Sequence, residues 1–298
     1  METNNKQLGI SGALASAFLC AVLLATAGCG SPNADDEFRD GAAAYESGDY
    51  ATARKHFKRF SKLNPDNETA AYNLGMACLK NKEYGAAADA FKQAESLSKN
   101  GGSEFLEALA QTLRLSGKPD AALDVYDRAI AKTNRQPNLL AGMAQCHIDK
   151  GRFGHAEKLL KDAITISGGK EPAALFNFGV LYSKPAHNDP AKSALYYHNF
   201  LRHHRNNPEF AAETVRAAQA LASLDRSIPP DLQEKVILKI AESGRYSRDK
   251  VKRLNLLFEA WYVYPASKLA MAEYIKHADP NSPETKEMIE ILELTKKY

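Results

Sequence analysis

Aromatic and small side chains return every 34 or 35 residues through the first two thirds of this chain. Tyr50, Tyr84, Pro119 and Phe153 are spaced by 34, 35 and 34 residues, and Ala53, Ala87, Ala122 and Ala156 keep the same intervals. So do Phe57, Phe91, Tyr126 and Leu160, and so do Phe60, Ala94, Ala129 and Ala163. Upstream in each unit, Gly41, Gly75, Ala110, Ala144 and Gly179 follow at 34, 35, 34 and 35. A period of this length marks a supersecondary unit that cannot bury its apolar face alone and stacks on its neighbours. Within each unit apolar residues recur at helical spacing, and no window alternates with period two, so strands are not expected.

Together these residues resemble the tetratricopeptide repeat (TPR) family. The second unit, ETAAYNLGMACLKNKEYGAAADAFKQAESL, carries the pattern most fully. The resemblance implies an all-α, right-handed superhelical solenoid of helix-turn-helix repeats. Small residues such as Gly75 and Ala87 let two helices approach closely, and the aromatic at Phe91 fills the gap to the next unit. Gly48, Lys82, Gly117 and Gly151 stand where the first helix must end, a place suited to positive φ. Pro65 stops the second helix of unit one. The five units are read as 34–67, 68–101, 103–136, 137–170 and 172–206, within a repeat domain of 37–206. The fifth departs from the pattern, because its turn SKPAHNDPAK is longer and holds two prolines.

Beyond residue 206 the motif fades while the helical period continues. Residues 208–225 and 231–243 read as helices separated by Pro229-Pro230. Ser247 is expected to cap a helix to about Val263, and 265–278 to be helical again. The pair 247–280 reads as a degenerate repeat and 283–297 as a terminal cap, which a solenoid needs to cover its last apolar face.

The N-terminus reads as a targeting segment. Leu14–Ala25 is an apolar run of 12 residues, too short for a membrane span, which needs about 20. It ends in Thr26-Ala27-Gly28-Cys29, similar to a bacterial lipobox, so residues 1–28 are expected to be a signal peptide and Cys29 to be lipidated. Thr26, where Leu is preferred, and the weakly basic start around Lys6 depart from that pattern. An ordinary cleaved signal or an uncleaved anchor are the competing readings. Residues 29–36 read as a flexible tether. The expected location is the cell envelope, lipid-anchored and periplasm-facing. Gly30 rather than Asp after the cysteine favours the outer membrane if the envelope is Gram-negative.

Composition narrows the chemistry. A net charge of +3 over 298 residues gives no reason to expect nucleic acid, which needs a concentrated basic face. No triad, paired-carboxylate or metal-ligand spacing appears, so no enzyme, cofactor or small-molecule substrate is expected. His198, His203 and His204 beside Arg202 and Arg205 read as solvated cations at a helix end. Ser167–Glu171 (SGGKE) reads as a helix-ending turn. Cys78 and Cys146 read as free core thiols.

In the family, the first helix of each pair lines the concave side. The corresponding places here hold Phe38 and Tyr45, then Tyr72, Met76, Leu79 and Lys80. Next come Glu104, Glu107, Gln111 and Arg114, followed by Asn138, Gln145, Ile148 and Asp149. Phe176, Val180 and Lys184 complete the series. This predicts a groove with aromatic anchors at one end and a polar middle. Asn73 matches a carboxylate-clamp asparagine, but Tyr72 and Ala108 replace the clamp cations, so an acidic C-terminus is not the expected ligand. The expected role is a non-catalytic scaffold holding an extended peptide or helix of an envelope protein. The alternative is a periplasmic accessory factor regulating a cell-wall enzyme.

Overall fold

The structure is a computed structural model that describes residues 32–99, 102–133 and 135–298. The signal peptide and Cys29 lie outside the described residues. Among those residues the regular structure is helical throughout, with no strand. No helix among them is long and apolar enough to cross a membrane. The chain divides into two compact units, one ending at Ile166 and one spanning Ser167–Tyr298.

The first unit is four helix pairs. They are α1 (Pro32–Glu46) with α2 (Tyr50–Leu63), α3 (Glu68–Lys80) with α4 (Tyr84–Leu97), α5 (Ser103–Leu115) with α6 (Pro119–Thr133), and α7 (Pro137–Asp149) with α8 (Phe153–Ile166). Each helix packs on its partner, and the second helices α2, α4 and α6 pack also on the first helix of the next pair. The boundaries follow local chemistry. The Asp49 and Asn67 side chains accept the Thr52 and Ala70 N–H groups at 3.1 Å, satisfying donors a helix start leaves open. Gly48, Lys82, Gly117 and Gly151 all adopt positive φ at the expected turn position. One boundary differs from expectation: α1 begins at Pro32, inside the stretch read as a tether. Proline suits a first helical turn, and Asp35 complements the positive helix start.

The core of this unit is built from the periodic residues. Ala53, Ala87, Ala122 and Ala156 are fully buried, as are Phe57, Phe91, Tyr126 and Leu160. The rings of Phe57 and Phe91 rest on Gly41 and Gly75 of the partner helix. In the third pair Ala110 stands at the glycine place, and the Tyr126 hydroxyl reaches over Gly142 of α7 instead.

The second unit holds the fifth pair, α9 (Pro172–Tyr182) and α10 (Pro190–His204). A 3₁₀ turn (Pro208–Phe210), α11 (Ala211–Arg226), α12 (Pro230–Gly244), α13 (Lys250–Val263), α14 (Lys268–His277) and α15 (Pro283–Lys296) follow. Here α13 packs on both of its neighbours, α12 and α14. α12 packs chiefly on α13 rather than on α11, because Pro229-Pro230 separates it from α11. α13 is capped by Asp249 rather than Ser247, and α14 starts at Lys268 under a Ser267 cap. α15 folds back onto α10 and α11. Arg202 and Arg205 pair with its Glu287 and Glu290 at 3.1 and 2.6 Å, and its Ile291 is fully buried. Tyr264 and Lys268 tie the α13–α14 corner to Leu224 O and Asp225 Oδ1 at the end of α11.

Candidate protein-binding face

The repeat places α5 and α7 side by side. Glu107 lies one turn before Gln111 on α5, and Gln145 one turn before Asp149 on α7, so each polar pair shares a helix face. Two carboxylates organise this face. Glu107 accepts from Gln111 Nε2 at 3.2 Å and from Asn138 Nδ2 at 2.6 Å. Asp149 accepts from Gln145 Nε2 at 2.9 Å and from Arg114 Nη1 at 3.0 Å. Both clusters bridge the two helices. Glu107, Gln111 and Gln145 are buried, Asn138 is half-buried and Asp149 is exposed. Buried polar side chains of this kind persist because they are hydrogen-bonded.

The aromatic end of the expected groove is built differently. Tyr72 is 1% exposed and sits between Phe91 and Phe105, with ring centroids at 5.7 and 5.4 Å. It wedges α3 against the next first helix and offers no face to a partner. Met76 and Leu79 belong to the same core. Phe38 packs on Phe60 and Phe57 at 5.3 and 6.2 Å. Tyr45 is half-buried against Tyr50, and Lys80 is half-buried. In the second unit Phe176 is buried against Tyr197 and Phe200, with the Arg216 guanidinium 4.7 Å from its ring centre. Val180 beside it is half-buried. The reason is geometric: Phe38, Tyr72 and Phe176 face the second helix of their own pair, and Tyr72 and Phe176 also the helix that follows it, so large rings fill these junctions rather than the groove.

The histidine cluster also differs from the solvated cations expected of it. His198 is 2% exposed and lies edge-on to Trp261 at 4.7 Å. Burial, with Arg202 and Arg205 nearby, pushes its pKa down to about 3, so it is neutral. His203 and His204 are also shifted down, by burial first. Among the described residues no group of three or more His, Cys, Asp or Glu side chains is placed to hold a metal ion. Cys78 and Cys146 are free and buried, and burial raises their thiols to about 11 and about 12. Such thiols are unreactive near neutral pH. Sequence reasoning missed Gly142. Its signal was an unexplained glycine inside a helix, which costs about 1 kcal/mol relative to alanine unless packing requires it.

The comparisons agree with this architecture. The tetratricopeptide repeat family matches residues 39–102 and 113–174. Among solved structures, PilW, described as a widely conserved type IV pilus biogenesis factor, is similar with a TM-score of 0.53 at 16% identity. That match covers 87% of this chain and 99% of PilW. TTC0263, a thermophilic TPR protein of Thermus thermophilus, is similar with a TM-score of 0.51 at 24% identity, covering 63% of this chain and 98% of its own. No curated protein matches the chain. With their periodic core, their positive-φ turns and these matches, residues 39–102 and 113–174 are tetratricopeptide repeats.

Proposed function

We propose that this chain is a membrane-held scaffold, anchored by acyl chains on Cys29, that binds an extended segment of an envelope protein along α5 and α7. The observation that carries the reading is the pair of bridging carboxylate clusters, Glu107 with Gln111 and Asn138, and Asp149 with Gln145 and Arg114. The buried Glu107, Gln111 and Gln145 hold the more accessible Asn138 and Asp149 in place, and these two give a partner's main chain polar groups to bond rather than large apolar anchors. PilW, of similar fold, is a pilus biogenesis factor, and assembly of an envelope machine is the setting proposed here.

Two experiments test the two halves. Palmitate labelling of the wild type against Cys29→Ser tests the anchor, and equal labelling removes it. Crosslinking in native envelopes with Asn138→Ala/Gln145→Ala tests the face. The expected result is unchanged helical content with loss of the crosslinked partner. Retention of the same partner at the same yield rejects the face.

A further inference from the structure

The residues that join α12 to α13 and open α13, 244–253, hold five basic side chains and one acidic one, a net +4, in a chain whose whole net charge is +3. The one acid, Asp249, caps α13 by accepting the Lys252 N–H at 3.0 Å. Two of the cations are engaged within the protein. Lys252 Nζ lies 3.9 Å from the Tyr246 ring centre, and Arg253 bonds His277 Nε2 at 2.8 Å. Arg245, Arg248 and Lys250 are exposed, and none of them pairs with a carboxylate among the described residues. Among these cations stands Val251, 71% exposed, the most exposed large hydrophobic side chain of the described residues.

A second basic stretch shows what is particular here. α2 carries five Lys and Arg residues, but Arg54 pairs with Glu83 and Arg59 with Glu37. α2 buries Ala53, Phe57 and Phe60, and its one exposed large apolar side chain, Leu63 at its end, is 46% exposed against 71% for Val251. The 244–253 stretch is also the end of a two-helix hairpin, a convex feature. An acidic protein would need a concave site to receive it. A flat anionic surface needs none: the cations meet headgroups while the aliphatic side chain enters between them.

We propose that the α12–α13 tip docks on an anionic phospholipid bilayer, with Arg245, Arg248 and Lys250 at the headgroups and Val251 inserted. This is a membrane contact in its own right. It goes beyond lipidation of Cys29 and stands or falls separately from it.

The test uses the full chain carrying Cys29→Ser, so that no acyl chain contributes. Hydrogen exchange of peptides covering residues 244–254 is followed on vesicles of phosphatidylcholine alone and of phosphatidylcholine mixed with phosphatidylglycerol. The local readout separates the tip from any binding by the N-terminal apolar run. Exchange at the tip is expected to slow only on the anionic vesicles and to recover in high salt. It is also expected to recover in Arg245→Gln/Arg248→Gln/Lys250→Gln. Tip affinity falls by about fivefold for each cation removed, so the triple variant loses about a hundredfold. Its thermal melting is expected to match wild type, because these side chains make no ion pair among the described residues. Equal exchange on both vesicle types overturns the proposal, as does undiminished protection in the triple variant. Protection by polyglutamate as strong as by anionic vesicles overturns the lipid assignment in favour of an acidic protein site.

Discussion

A Cβ added to Gly75 would fall 2.6 Å from Cε1 of Phe91, so the α4 ring rests directly on the α3 backbone. Gly179 and Tyr197 repeat the relationship at 2.6 Å, and Gly41 and Phe57 at 2.9 Å. Alanine is ordinarily the better helix residue by about 1 kcal/mol, but overpacking a filled site costs about 1–3 kcal/mol. Gly75→Ala is therefore expected to lower the melting temperature, whereas Gly85→Ala, which meets nothing within 4 Å, is expected to leave it unchanged or raise it. Thermal denaturation of both variants checks this. A Gly75→Ala protein as stable as wild type would mean that the ring does not sit on the backbone.

Lys82 occupies the turn between α3 and α4 with φ +62°, where Gly48, Gly117 and Gly151 stand in the neighbouring pairs. A side chain in the left-handed region costs about 1–2 kcal/mol, part of which glycine gives back in unfolded-state entropy. Lys82→Gly is expected to stabilise the first unit by about 0.5–1 kcal/mol. Chemical denaturation measures it, and a lower midpoint would contradict the turn geometry.

Tyr72 and Asn138 separate packing from binding. Tyr72→Ala removes a buried ring from the junction of α3, α4 and α5 and is expected to cost about 3–5 kcal/mol. Asn138→Ala removes one hydrogen bond to Glu107 and is expected to cost about 1 kcal/mol. Urea titration distinguishes the two. A Tyr72→Ala variant of wild-type stability would return this residue to the groove.

His198 gives a pH dependence of known sign. Its folded-state pKa is depressed to about 3 from the ordinary 6.5, chiefly by burial. Above 6.5 both the folded and the unfolded chain hold it neutral, and its contribution is fully present. As pH falls from 6.5 toward about 3 only the unfolded chain takes up the proton, so stability is lost. Over that window the wild type is expected to lose roughly 1 kcal/mol per pH unit more than His198→Leu. Denaturation at a series of pH values reads the difference, and parallel curves would show that His198 is not buried neutral.

The repeat period was enough to place ten helices in the first five pairs, because the spacing of Ala53, Ala87, Ala122 and Ala156 reports a constraint that every pair must meet locally. The turn position was legible for the same reason: a helix that ends and reverses needs positive φ, whatever surrounds it. The face of each large side chain was not legible. Tyr72 and Phe176 sit at register places that admit groove or junction, and only contact with Phe105, or with Tyr197 and Phe200, selects the junction. The second unit shows the limit most clearly. Helical periodicity announces that α12 to α15 are helices, but their apolar stripes fit several partners. The return of α15 onto α10 and α11 arises from contacts such as Arg205 with Glu290, 85 residues apart in the chain. A local pattern encodes which residues turn toward a neighbour; which neighbour arrives depends on the path of the whole chain.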